Sequence, residues 1–184
     1  MAATSSPVAL GWPAAAFDLP GIDGKRHTLA SARGRNGLLV MFICNHCPYV
    51  RAVAAKIARD ADALAPLGIG SIAIMSNDAA AYPADSFDNM KTFAADHGFR
   101  FPYVIDESQD VARAYDAVCT PEFFGFDRDL ALVYHGRLDA SGRNSDPNAE
   151  RELFDAMSAV ARGGRAPLTQ APSIGCSIKW RTSS

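Results

Sequence analysis

Residues 38–43, Leu-Leu-Val-Met-Phe-Ile, form an unbroken apolar run between Gly37 and a polar stretch that opens at Cys44. A run this short and uniform reads as a strand buried on both faces, as in the middle of a sheet covered by helices. Immediately downstream the period changes. Val50, Val53, Ala54, Ile57, Ala61 and Leu64 recur at helical spacing, Arg51, Lys56, Arg59 and Asp62 take other faces, and Pro66 and Gly68 close the segment. A buried strand handing over directly to an amphipathic helix points to an α/β architecture.

The flanking sequence extends the pattern. Residues 17–29 carry apolar positions on either side of Asp23-Gly24, a pair suited to a tight hairpin turn. Residues 69–76 read as a second buried strand, and Asp85 or Ser86 caps a helix bearing Phe87, Met90, Phe93 and Ala94 that stops at Gly98. A short strand over 101–105 and a short helix over 110–117 follow, then two strand-like runs, 123–126 and 130–138, around a turn at 127–129. Asp146-Pro147 offers a cap and a first-turn proline to a last helix striped with Leu153, Phe154, Met157, Val160 and Ala161. Strands that alternate with helices and end in a hairpin plus helix imply a mixed central sheet flanked by helices. Residues 1–13 read as a flexible arm, 14–164 as one domain, and 165–184, which show no period, as a tail packed on or near it.

Charge and composition remove several classes of function. Across 184 residues, 18 Lys and Arg face 20 Asp and Glu, a formal net charge of −2. No basic cluster marks a nucleic-acid partner, and no polybasic segment marks a membrane surface. No apolar run is long enough for a transmembrane helix. The first thirteen residues lack the basic opening of a signal peptide, so a cytoplasmic location is the expectation. The 4 cysteines are too few for a disulfide scaffold in a chain of this length.

Where those cysteines fall carries the chemistry. Cys44-Asn45-His46-Cys47-Pro48 sits at the junction of the first buried strand and the first long helix. Free N–H groups and the dipole at a helix N-terminus stabilise a thiolate. The same junction lies at the sheet end where α/β proteins bind ligands. Two intervening residues let the sulfurs meet within one helical turn and form a reversible disulfide. A structural zinc site wants four ligands, and neither a second Cys-x-x-Cys nor a His-x3-His accompanies this pair, so redox chemistry is the stronger reading. His46, held inside the motif, would favour a thiolate at Cys44 if cationic. Cys119 adjoins Thr120-Pro121 before a strand and is a candidate auxiliary thiol, whereas Cys176, in the aperiodic tail, reads as a small buried hydrophobe.

The order hairpin, strand, Cys-x-x-Cys-Pro, helix, and later Thr-Pro opening a strand resembles the thioredoxin superfamily. With Cys44–Val50 and the tail Gly175-Cys176-Ser177-Ile178-Lys179-Trp180, it is most similar to a peroxiredoxin-like, AhpC/TSA-type subfamily that carries Cys-x-x-Cys. The resemblance implies a thioredoxin-like fold with an N-terminal β-hairpin, Cys44 as attacking and Cys47 as resolving thiol. It also implies a cis Thr120-Pro121 pair whose backbone offers an edge to a substrate chain docking as an added strand. It departs from peroxiredoxins in having Cys44 where they have threonine, with Cys47 at the peroxidatic position, and Thr120-Pro121-Glu122 where they carry an arginine. The function expected is thiol–disulfide oxidoreductase, with no organic cofactor and no metal. Its partners would be a disulfide-bearing or dithiol protein and an external thiol reductant. Two alternatives stand beside it. One is a thiol peroxidase with Cys47 peroxidatic and Cys44 resolving; the other is a soft-metal-binding module using Cys44, His46 and Cys47.

Overall fold

A computed structural model describes residues 1–182 of the chain. The first strand, β1 (Ala2–Thr4), comes from the segment expected as a flexible arm. It is tied down by pairing with a strand near the opposite end of the chain, a long-range contact with no local signature. The expected hairpin follows, β2 (Asp18–Pro20) and β3 (Arg26–Thr28), antiparallel about a turn in which Gly24 takes a φ of 79°. Thr28 caps the short helix α1 (Leu29–Ala32), its hydroxyl accepting from Ser31 N.

The apolar run becomes β4 (Gly37–Phe42), buried along its whole length. After a five-residue loop the chain enters α2 (Pro48–Leu64), with Cys47 as its cap residue and Pro48 at its first turn. The chain returns through β5 (Ile69–Met75), α3 (Phe87–Asp96), β6 (Tyr103–Ile105), α4 (Asp110–Ala114) and the two-residue β7 (Cys119–Thr120). It closes with β8 (Glu122–Asp127), β9 (Leu132–Gly136), α5 (Glu152–Ala161) and β10 (Ile174–Ser177).

Five strands build the main sheet in the order β6-β5-β4-β8-β9, parallel from β4 through β5 to β6 and antiparallel from β4 through β8 to β9. Alternate residues of β4 then feed two separate cores. Leu39 and Met41 pack with Val50, Val53 and Ile57 of α2, Met90 of α3 and Leu153 and Met157 of α5. Leu38, Val40 and Phe42 face Phe17, Leu19, Val111, Tyr115 and Phe126 on the other side. The fold is thus the expected mixed sheet flanked by helices.

Three local expectations are corrected. Ser86, not Asp85, caps α3, its hydroxyl accepting from Asn89 N. Helix α5 begins at Glu152 rather than at Pro147, and the Asp146 carbonyl instead accepts from the Lys56 ammonium. The tail, aperiodic in sequence, contains β10, which sits between β1 and β7 in a second, three-stranded sheet. A strand this short has no room to show a period. No helix among the described residues is long and apolar enough to cross a membrane.

Candidate active site

Four elements meet at the C-terminal end of β4. The loop after β4 brings Cys44, α2 starts on Cys47, β7 supplies Thr120, and β10 supplies Cys176. Cys44 Sγ lies 3.4 Å from the Thr120 hydroxyl, and Cys47 Sγ lies 3.1 Å from the Thr120 carbonyl. The Thr120-Pro121 bond is cis. The structure therefore gathers Cys44, Cys47, Thr120 and Pro121 around one point. Both sulfurs of the pair are fully buried, at 0% exposure, while Cys176 is only partly covered.

Asp85 organises the loop between the cysteines, a role its sequence context did not show. Its carboxylate is wholly buried. One oxygen accepts from the backbone N–H of Asn45 at 2.8 Å and of His46 at 3.3 Å; the other meets His46 Nδ1 at 2.6 Å and accepts from Asn77 Nδ2 at 2.8 Å. Tyr103 donates to Asn45 Oδ1 at 2.9 Å, and Asn45 in turn donates to the Ala84 carbonyl at 3.1 Å. The loop geometry is thus set by side chains forty and more residues downstream. The available signal was an Asp two residues after Pro83, which read equally well as a helix cap.

The electrostatics separate the two thiols in the direction opposite to expectation. The hydrogen bond from Cys44 lowers the Cys47 thiol to about 5, against burial, which acts the other way. The Cys176 thiol and the backbone N–H groups of Val50 and Cys176 reinforce the lowering. Of these donors the Val50 N–H belongs to the start of α2, and those of Cys176 come from β10. Cys44 is pushed up, first by the hydrogen bond it gives to Cys47, then by burial and by the negative charge of Asp85. The two shifts thus favour a thiolate at Cys47 over one at Cys44. His46 Nδ1 engages Asp85 and its ring stacks over Tyr82 with centroids 5.9 Å apart, while a ring nitrogen stays within 4.8 Å of the Cys44 sulfur.

Two further expectations change. Cys119 lies beside Thr120, but its sulfur faces Glu122 Oε2 at 3.6 Å, and burial together with that carboxylate pushes its thiol far up. Both causes favour its protonated form. The Thr120 edge, expected to receive a substrate strand, is occupied by the chain's own β10, with Cys176 opposite Thr120 and Ser177 opposite Cys119. Glu122, missed in the sequence, holds this region from beneath. It accepts from Val118 N at 2.8 Å and Cys119 N at 3.1 Å while pairing with His135 Nε2 at 2.8 Å. An open cleft of about 200 Å³ adjoins the site, lined by Tyr49, Pro121, Phe123, Leu138 and Ile174.

For a metal, the converging ligand atoms among the described residues belong to Cys44, His46 and Asp85, all within 4.8 Å of one another. Cys47 is not in that set, so the expected trio of Cys44, His46 and Cys47 does not assemble. Asp85 already accepts from several N–H groups through both oxygens, and a cation there would have to displace His46 from it.

With this geometry in hand, comparison with known proteins is informative. A model of the AhpC/TSA family matches residues 10–135. The chain belongs to the AhpC/TSA family. It is similar to an uncharacterized conserved protein from Geobacillus kaustophilus at 45% identity, with a TM-score of 0.96 over 100% of this chain and 98% of that one. A hypothetical protein from Sinorhizobium meliloti 1021 is similar at 40% identity, TM-score 0.93, over 98% of this chain and 99% of its own. At 18% identity and a TM-score of 0.60, over 70% of this chain and 89% of the other, the likeness reaches the thioredoxin domain of a thiol-disulfide oxidoreductase from Bacteroides vulgatus. No curated protein matches the chain. For this AhpC/TSA member the fold is thioredoxin-like, and family and site together indicate thiol redox chemistry in general.

Proposed function

We propose that the protein is a thiol–disulfide oxidoreductase that cycles Cys44 and Cys47 between dithiol and disulfide, with Cys47 as the attacking thiolate. One observation carries this reading: Cys47 stands at the start of α2 with its thiol lowered, while the thiol of Cys44 beside it is raised. The Cys47 thiolate attacks one sulfur of a substrate disulfide, forming a mixed disulfide and releasing the other substrate sulfur as a thiolate. Cys44 then gives up its proton and attacks Cys47 Sγ. The Cys44–Cys47 disulfide forms, and the second substrate thiol leaves. Substrates would be disulfide-bearing proteins, electrons would return from an external dithiol, and a cytoplasmic location fits that traffic.

A second reading, thiol peroxidase, is favoured by the same lowered thiol at Cys47. Peroxide would oxidise Cys47 to a sulfenic acid, and Cys44 would displace water from it. The strand start that follows carries Thr120, Pro121 and Glu122, whose carboxylate is engaged by His135. None of these three residues offers a positive charge to a peroxide. Dithiothreitol-driven reduction of a protein disulfide, compared with dithiothreitol-driven consumption of hydrogen peroxide, separates the two. The oxidoreductase reading expects catalysis of the first reaction, loss of it in Cys47→Ser, and a Cys44–Cys47 disulfide in the peptide map. Catalysis of the second alone would transfer the assignment to the peroxidase.

A further inference from the structure

A third sulfur stands in this site, and the strand that carries it is fastened on both sides. Cys176 lies opposite Thr120 in the β7–β10 pairing, the residue whose hydroxyl and carbonyl already touch Cys44 and Cys47. Cys176 packs against the cluster that holds Cys44 and Cys47, and its thiol and backbone N–H both help to lower the Cys47 thiol. Before β10, Ser173 donates its hydroxyl to the Gly136 carbonyl at 2.6 Å, and its N–H to Ser5 at 2.9 Å. After β10, Lys179 N donates to Asn77 Oδ1 at 2.9 Å, and Arg181 N donates to Gln109 Oε1 at 2.9 Å. Asn77 is also a partner of Asp85, so the tail is bonded into the framework that shapes the Cys44–Cys47 loop.

The seating of β10 is close. A Cβ placed on Gly175 would stand 1.9 Å from the Thr120 carbonyl oxygen, so only glycine lets the strand approach this far. The consequence is that an extended segment carrying a cysteine lies along the edge where a disulfide-bearing substrate strand would dock, and its sulfur is brought to Cys47. Burial adds a second asymmetry. Cys44 and Cys47 have no contact with solvent, whereas Cys176 is partly exposed. Of the three sulfurs gathered around Thr120, Cys176 is the one an external partner reaches without displacing the strand.

We infer that Cys176 is a third redox-active thiol, which takes Cys47 over from Cys44 by intramolecular exchange and links the buried pair to the outside. In the oxidising direction an external disulfide such as oxidised glutathione reacts with the Cys176 thiol, which gives up its proton to the departing sulfur, leaving a mixed disulfide and one glutathione thiol. The Cys47 thiolate attacks the Cys176 sulfur, the bond to glutathione breaks, and the second glutathione leaves as thiolate. Cys44 then attacks Cys47, the Cys47–Cys176 bond breaks, and Cys176 is restored as a thiol by the proton Cys44 gives up. Two electrons pass from the Cys44–Cys47 pair to glutathione, and each sulfur–sulfur bond broken is replaced by one formed. In the reducing direction the steps run backwards. This rests on the Cys44/Cys47 redox reading above.

The test uses the full chain. The double variant Cys44→Ser, Cys119→Ser, which keeps only Cys47 and Cys176, is exposed to oxidised glutathione and mapped by mass spectrometry. A Cys47–Cys176 disulfide without retained glutathione is expected; glutathione left on either sulfur, or both thiols free, overturns the exchange. In the unmodified protein, an acid-quenched time course should show Cys47–Cys176 peptides before Cys44–Cys47 peptides accumulate, and a course without them counts against the relay even if the variant misfolds. Cys176→Ser, folded by circular dichroism, should oxidise about tenfold more slowly or worse because the proximate thiol is gone. An unchanged rate to a Cys44–Cys47 disulfide would remove Cys176 from the pathway and leave the oxidoreductase reading intact. Failure of the unmodified protein to form any Cys44–Cys47 disulfide would remove that reading instead.

Discussion

At the scale of single residues, a cap position distinguishes two otherwise similar cysteines. Cys47 sits where a helix leaves N–H groups unpaired, and Cys44 sits one turn away beside the buried charge of Asp85. The ordinary thiol value of 9.0 falls to about 5 at Cys47. Iodoacetamide labelling of the reduced protein should therefore show Cys47 reactivity rising through an inflection near 5. An inflection in the ordinary thiol range would show that its donors do not act. Asp85 gives a second prediction. Asp85→Ala leaves the Asn45 and His46 amides without their acceptor, a loss of about 1–3 kcal/mol in stability by the usual cost of orphaned buried donors. It also removes the negative charge that raises Cys44. Chemical denaturation should show the loss, and titration of Cys44 in a Cys47→Ser background should show a lowered thiol. A stable variant with Cys44 unmoved would reduce Asp85 to a bystander.

Elements explain why some of this was legible in the sequence and some was not. The run at 38–43, the stripe of α2 and the hairpin about Gly24 each advertise themselves through local period or turn chemistry, and each stands where its residues indicate. The cysteine motif was legible for the same reason, because strand, loop and helix start are contiguous. Asp85 and Cys176 join the site only through long-range packing, so no local pattern announces them. Strands β1 and β10 are the extreme case: each is a few residues long, and each is ordered by the other. Gly175 makes that pairing testable. Gly175→Ala drives a methyl into the Thr120 carbonyl, and overpacking of this kind costs about 1–3 kcal/mol. The expected outcome is a folded protein in which β10 is displaced and Cys47 is alkylated faster. Unchanged labelling of Cys47 would mean the strand does not shield it.

For the whole molecule, the depressed thiol couples redox state to the stability of the fold. In the reduced protein Cys47 has a value of 9.0 when unfolded and about 5 when folded. A folded-state value below the unfolded one gives stability that is present in full above 9.0 and is lost as pH falls through about 5. Between those limits the unfolded chain holds one proton more than the native state. The stability of the reduced protein then rises with pH by up to about 1.4 kcal/mol per unit. Cys44 does not oppose this rise below its ordinary value of 9.0, because its thiol is shifted upwards and keeps its proton in both states. Once Cys44 and Cys47 are joined as a disulfide there is no thiol at either position to titrate, and that component of the slope disappears. Asp139, held below the carboxylate range by Lys56 and Ser141 against burial, and Asp23, held there by His27 and Lys25, contribute in both redox forms and cancel in their difference. Urea denaturation of the reduced and oxidised proteins, at pH values from about 5.5 to about 8, measures the difference directly. The stability of the reduced form should climb relative to the oxidised form across that window. Parallel pH profiles would show that Cys47 titrates as an ordinary thiol, and the assignment of the thiolate to the start of α2 would fall with them.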